Sequence, residues 1–544
     1  MGSSRSRVSP LMLVLLVLLY AWGSAAGAQA APFSLVVMPD TQYYVAETPR
    51  KQGKIVMFQA QVQWVIDNKV ARNIAFVLHE GDIVDNRDPV VGQWQRARPI
   101  IKSLDGVVPY ALAPGNHDVR GPEREAWEFN IFFPFREFQD WPELGGTFDA
   151  AAGVLNAYYL FQASGLNWLV FALEPFPRDA VLAWVDRVAE AHPTRNIIMV
   201  THSHVYPDDT LVGSSPDHEY TSTEYAVNPA DGTGNNGIDV WNKCLRKHKN
   251  VLMTFNGHVG GGDLESSAGL VVGTGDHGNK VYQMCADYQE TWYNGLFGHM
   301  RIVTVDPDRR TISVETYSPY LRNYGTGPRS QFSFDDVAFT AAGPTIAITS
   351  PRGIAWWQTG TQQTVTWTSQ GDIGRVNIDL STDAGKTWSS LAADVPNSGT
   401  RTITVPDRPS TQCLVRVSGR GGSPAETSHA NFAIATTPPP VRIAVITPYP
   451  WAVWQVGTQQ TVGWTSQSVT GNVSIDLSTD GGKTWSSLAA DHENCGLLTV
   501  AVPDTPSKQC LVRVSGGSGS PCGMSETFEI AAPVAAAGEG QAAP

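Results

Sequence analysis

Short apolar runs alternate with amphipathic segments from Phe33 to about Thr340. Ser34-Leu35-Val36-Val37-Met38 has strand character and stops at Pro39-Asp40. Ile55, Phe58, Val62, Val65 and Ile66 then recur at spacings that put them on one helical face. Further strands are predicted over Ile74 to Leu78, Val107 to Leu112, Asn196 to Val200 and Val251 to Phe255. Helices are predicted around Val90 to Leu104, Ala180 to Ala191 and Val240 to Lys249. Tyr158 to Gln162 and Trp168 to Leu173 flank Gly165 as a hairpin, and the aromatic, charged stretch Gly121 to Gly146 reads as an insertion or lid. Four short strands follow, at Leu270 to Val272, Val281 to Cys285, Met300 to Val305 and Thr311 to Thr316. Alternation first and antiparallel strands later predict an α/β domain of two packed sheets with helices outside.

The remainder repeats itself. Trp367, Trp388 and Cys413 recur as Trp464, Trp485 and Cys510 at one constant offset, and Asp379-Leu380-Ser381-Thr382-Asp383 recurs as Asp476-Leu477-Ser478-Thr479-Asp480. Alternating runs such as Thr364-Val365-Thr366-Trp367, bounded by Gly, Asp and Pro turns, predict two all-β sandwiches. The expected divisions are a leader over 1–30, the α/β domain over 31–342, repeats over 343–435 and 441–532, and a disordered tail over 533–544. Pro-rich Thr436 to Pro440 is the stiff spacer between the repeats.

Arg5 and Arg7 precede the apolar run Leu11 to Tyr20, and Ala28-Gln29-Ala30 is a small-x-small site. These predict a signal peptide cleaved near Ala30 and a secreted or extracytoplasmic protein with no membrane span. The net charge of -13 argues against a nucleic-acid scaffold role, which needs a basic track. Six cysteines, none in a zinc-like spacing, read as structural. Cys495 and Cys522 have no counterpart in the first repeat and form the candidate disulfide.

The chemistry sits where strands end: Asp40-Thr41-Gln42, Gly81-Asp82-x-x-Asp85, Gly115-Asn116-His117-Asp118, His202 and Gly257-His258. Singly these are ordinary: an Asp before Thr is often a helix cap, and Gly-Asn is often a turn. In combination and order they resemble the calcineurin-like metallophosphoesterases, whose signature is D-x-H, G-D-x-x-D, G-N-H-[DE], a strand-end His and G-H-x-H. Such residue types suit phosphate ester hydrolysis, because two cations about 3.5–4 Å apart supply a nucleophile at neutral pH and neutralise the phosphoryl group.

The resemblance implies two divalent metal ions (Mn, Fe, Zn, Mg or Ca) bridged by Asp82. One would be held by Asp82, Asn116, His202 and His258, the other by Asp40 and its neighbours. It implies that His117 binds the phosphoryl oxygen or protonates the leaving group, with Asp85 orienting its imidazole and keeping it cationic. Two positions depart from the pattern on the Asp40 side: Gln42 and Gly260 stand where the family has histidines. Either the Gln42 carbonyl joins Asp40 and Asp82 in holding that metal weakly, or another side chain fills in, with His277 the candidate substitute and Asp276 and His204 its rivals. An oxygen-richer site favours harder ions such as Mn, Mg or Ca. His79 and His204 read as neighbours of ligands rather than ligands. The aromatics of the insertion and Trp356, Trp357, Trp451 and Trp454 read as packing.

The implied function is hydrolysis of phosphate mono- or diesters, small-molecule or extracellular, by metal-activated water. The alternative is a catalytically weak or inactive fold serving as an extracellular binding or adhesion module. The repeats resemble immunoglobulin- or fibronectin-like domains of extracellular proteins, which implies spacing or adhesion, with cell-wall or carbohydrate contact through exposed aromatics.

Overall fold

The strand β6 (Leu166–Leu173) is apolar at nearly every position because both of its faces are covered. Trp168, Val170 and Ala172 join a core between two sheets, while Leu169, Phe171 and Leu173 join a second core beneath the helix Asp179–Ala191. Side chains alternate across a strand, so one run serves both layers. The structure, a computed structural model, describes residues 31–46, 54–85, 91–149, 153–289, 297–352, 355–438, 440–450, 452–469, 471–517 and 519–532. The expected leader (1–30) and tail (533–544), Pro439 of the spacer and Trp451 lie outside the described residues.

The first sheet is centred on β1 (Phe33–Met38), which runs parallel to β2 (Ile74–His79); β2 in turn runs parallel to β3 (Tyr110–Leu112). On the other side of β1 lie the antiparallel strands Met300–Asp306 and Thr311–Ser318. In the second sheet β4 (Leu144–Thr147), β5 (Ala157–Ala163) and β6 form an antiparallel run. Beyond it β6, β7 (Asn196–Thr201), Val251–Asn256 and Lys280–Ala286 are mutually parallel. The helix Ile55–Asn68 joins β1 to β2 and buries Met57, Phe58, Val62 and Val65. Parallel strands within a sheet end on one edge, and there such sheets gather functional groups.

The aromatics of the insertion are packing, as the sequence predicts: Phe129, Phe132, Phe133 and Phe138 are buried, and Phe132 stacks on Trp94 of the helix Val91–Lys102 at 5.8 Å between centroids. One element differs from the sequence expectation. The helix expected over Val240 to Lys249 spans Gly237–Lys243 and gives way at Cys244 (φ -134, ψ -74) to a 3-10 turn, Leu245–Lys247.

The two repeats are all-β, each a three-stranded sheet against a six-stranded one with equivalent strand order. Trp357 packs on Phe432 (4.5 Å) and Trp454 on Phe528 (4.6 Å), both Trp buried, as core packing requires. Cys413 and Cys510 are buried thiols. Cys495 and Cys522 are also free: Cys495 lies just before Leu497–Ala501 in the smaller sheet, and Cys522 begins an edge strand of the larger one. The first repeat docks on the α/β domain through a bond that the Tyr158 hydroxyl donates to Glu426 (2.9 Å); the second meets it where Trp127 packs against Tyr449 (4.9 Å).

Candidate metal centre

The loops after β1, β2, β3, β7 and Val251–Asn256 converge at one rim, and two glycines show how tightly. A Cβ on Gly115 would lie 2.0 Å from Asp82 Oδ1, and one on Gly257 would lie 1.9 Å from Asp40 Oδ1. Only glycine lets the main chain come so close to those carboxylates. Asp82 (φ 47) and His258 (φ 77) hold left-handed conformations that non-glycine residues adopt at a cost, and both side chains turn into the centre.

On one side lie two imidazoles. His202 Nδ1 bonds the Glu80 carbonyl (2.9 Å) and His258 Nε2 bonds the Tyr220 carbonyl (2.9 Å). A carbonyl only accepts, so these outer nitrogens carry the hydrogens, and the inner nitrogens of the neutral rings present lone pairs. Those inner nitrogens are 3.1 Å apart, with His202 Nε2 3.2 Å from Asp82 Oδ2. Two acceptors and a carboxylate facing one point call for a cation, and outer bonds to carbonyls are how metal-binding histidines are held. Asn116 Oδ1 is buried without a partner, which fits a fourth donor. Burial lowers the His202 pKa but the Asp82 charge outweighs it and raises it, while burial and the His202 charge push His258 down to about 3. Burial raises the Asp82 pKa, yet the His202 and His117 charges hold it below the ordinary carboxylate value.

The other side is made of oxygens. Asp40 is fully buried and accepts from the His258 amide (3.2 Å to Oδ2) and Gln289 Nε2 (3.3 Å). Burial and the charges of Asp287, Asp82 and Glu80 raise its pKa well above the carboxylate norm. Gln42 Nε2 donates to Asp82 Oδ2 at 3.1 Å.

His117 stands at the mouth, its side chain 33% exposed, with Nε2 4.0 Å from Asp82 Oδ2 and its amide donating to Asp82 Oδ1 (2.9 Å). Its Nδ1 donates to the Asp85 main-chain carbonyl. The Asp85 main chain thus orients the imidazole, and its own amide is fixed by Gln93 Oε1 (2.7 Å). Asp118 fastens the two central loops, accepting from the amides of Ile83 (3.0 Å), Val84 (3.2 Å) and Gly115 (2.8 Å).

A family model described as calcineurin-like phosphoesterase matches residues 35–259, the segment that carries all of these loops. This domain is a calcineurin-like phosphoesterase domain. The chain is also 28% identical over 308 residues to the uncharacterized protein YvnB of Bacillus subtilis (strain 168), a match covering 55% of this chain and 21% of that protein. The chain therefore spans about a fifth of that relative's length. Among solved structures, the fibronectin(III)-like modules of Clostridium thermocellum CbhA align at 13% identity over 35% of this chain and 94% of theirs, with a TM-score of 0.16. The tandem Ig repeats of Dlar align at 12% identity over 35% of this chain and 100% of theirs, with a TM-score of 0.14.

Within the phosphoesterase domain, the expected substitute ligand is not at the centre. His277 lies in the exposed turn between Ala268–Thr274 and Lys280–Ala286, its Nε2 against the Lys247 carbonyl (3.0 Å). That turn precedes the parallel strand Lys280–Ala286, so it sits at the amino edge, opposite the rim. Asp276 pairs there with Arg246 (2.7 Å), and His204 is buried against Gln283 Oε1 (2.8 Å). Instead, the rim end of the same strand delivers Asp287 and Gln289, which the sequence reading missed. Their signal was there: a polar pair immediately after an apolar strand, as at the other loops. His79 ties β2 to the β1 loop through Thr41 Oγ1 (3.1 Å) and acts as a neighbour of ligands. A second group, Asp186, Cys244 and His248, joins two helices, with His248 Nε2 2.7 Å from Asp186 Oδ1.

Proposed function

We propose that this protein is a metal-dependent phosphoric ester hydrolase acting on phosphate mono- or diesters. The observation that carries the reading is the pair of inward lone pairs on His202 and His258 facing the Asp82 carboxylate, with both outer nitrogens committed to carbonyls. Asp82, Asn116, His202 and His258 would hold one divalent ion, and Asp82 with Asp40 and Gln42 the other. Such ions supply a water of lowered pKa and positive charge against the phosphoryl oxygens. The chain's own residues do the rest. Asp82 lies between the two sides and fixes their separation. His117, with Nδ1 committed to the Asp85 carbonyl, turns Nε2 toward the mouth, where it can bond a phosphoryl oxygen or give a proton to the leaving alkoxide. Its partial exposure, unlike the burial of Asp40, Asp82, Asn116 and His202, suits a group that meets substrate.

The N-terminal run before Ala30 supports action outside the cytoplasm, with the two repeats as spacing or adhesive modules. No helix among the described residues is long and apolar enough to cross a membrane. The test is a panel of generic phosphomono- and diesters with Mn, Mg, Ca, Zn and Fe, run on wild type, Asp82→Asn and His117→Ala with folding checked by circular dichroism. Turnover lost in both variants with the fold intact supports the hydrolase. Metal loading with no turnover on any ester would instead make the domain a binding module.

A further inference from the structure

The oxygen side contains more than the sequence motifs supply. Asp287 is 1% exposed, and a Cβ on Gly260 would lie 3.3 Å from its Oδ2, so the carboxylate stands beside the position where the family carries a histidine. Gln289 Nε2 bridges Asp40 Oδ2 (3.3 Å) and Asp287 Oδ2 (3.1 Å), and Gln42 Nε2 holds Asp82 Oδ2 (3.1 Å). The Gln289 amide thus places partial positive charge between two carboxylates, and the Gln42 amide places it against a third. Among the described residues, neither Asp40 nor Asp287 pairs with a lysine or arginine. Gln42 Oε1 and Gln289 Oε1 are buried and bond nothing, though both residues are 4% exposed. A buried amide oxygen without a partner costs free energy. Turning either amide about its last torsion would exchange its N–H for its C=O toward the carboxylates. A cation among them would then gain carbonyl ligands and relieve both orphaned oxygens.

We infer that Asp287 replaces the absent histidine and, with Asp40, Asp82 and the side-chain carbonyls of Gln42 and Gln289, forms an all-oxygen site for a hard divalent cation. The inference rests on the two-metal reading above. The site differs in kind from its neighbour: carboxylate and carbonyl donors suit Mn, Mg or Ca, whereas the imidazole pair suits Zn or Fe. The two ions of one centre would therefore be chemically distinct and separately exchangeable.

Calorimetric titration of metal-stripped protein with MnCl2, with EPR of the bound Mn, tests this without reference to turnover. Wild type should bind two equivalents. Asp287→Asn, which keeps the shape and removes a buried charge, should retain one and weaken the other at least 10–100-fold, the loss typical of disturbing even the outer partners of a ligand. Two equivalents bound by Asp287→Asn with wild-type affinity would overturn the inference. Should that variant misfold, anomalous scattering from wild-type crystals soaked in Mn decides. A peak within about 2.0–2.6 Å of the Asp287 carboxylate supports the site, and a Mn peak elsewhere at the rim contradicts it. The outcomes also separate the two readings. Ester turnover by wild type with both Mn retained in Asp287→Asn sinks this inference alone. Loss of one Mn in the variant, with no turnover by loaded wild type, sinks the hydrolase alone.

Discussion

The two halves of the centre are built from one rim by opposite means. The imidazole half is set by hydrogen bonds pointing away from it: His202 and His258 are each anchored through the outer nitrogen, so the inner nitrogen has no choice of direction. The oxygen half is set by groups facing one another, Asp40 and Asp287 across the Gln289 amide and Asp82 beside Gln42. The first is oriented before any ion arrives; the second holds mutual repulsion that an ion would relieve. Identity of metal should therefore be decided mostly in the oxygen half, and geometry mostly in the imidazole half.

The largest effect should come from the residue both halves share. Asp82→Asn is expected to lower turnover by roughly three orders of magnitude, since it forfeits several kcal/mol of charge stabilisation from both ions. Metal analysis should show both equivalents weakened; loss confined to one would break the shared-carboxylate account. Next, His117→Ala should reduce turnover about 100-fold or more while both metals stay, which distinguishes proton handling from ligation. Asp118→Asn acts on neither half directly: the remaining oxygen can still accept from Ile83 and Val84, but the NH2 in place of the other cannot accept from the Gly115 amide. It should cost about 1–3 kcal/mol, seen as a lower urea midpoint at unchanged slope. Smallest of all, Arg513→Ala in the second repeat removes a half-exposed pair with Asp476 (2.9 Å) beneath Trp485 and should cost about 0–1 kcal/mol, with turnover as in wild type.

The same contrast explains what the sequence could disclose. Asp82, Asn116 and His117 were legible because a tight loop after a strand needs glycine beside the ligand, so Gly81-Asp82 and Gly115-Asn116 mark themselves locally. The alternation within β6 and the matched tryptophans of the repeats disclosed the layers in the same local way. His277 misled because proximity along the chain says nothing about which edge of a sheet a turn occupies. The hairpin Ala268–Thr274 to Lys280–Ala286 places its turn at the amino edge, and only the direction of its second strand, parallel to Val251–Asn256, carries Asp287 to the rim. Strand direction is a tertiary property, set by which neighbour a strand pairs with. The bond from His117 to the Asp85 main-chain carbonyl escaped for a related reason, since a backbone contact leaves no mark in residue type.

The most direct test is to strip the protein of metal, add Mn in steps, and follow hydrolysis of p-nitrophenyl phosphate and bis-p-nitrophenyl phosphate against bound ion. The convergence of Asp40, Asp82, Asn116, His202 and His258 predicts that turnover of at least one ester rises with ion bound and levels off at two per chain. Two ions bound at this rim with neither ester cleaved would contradict it.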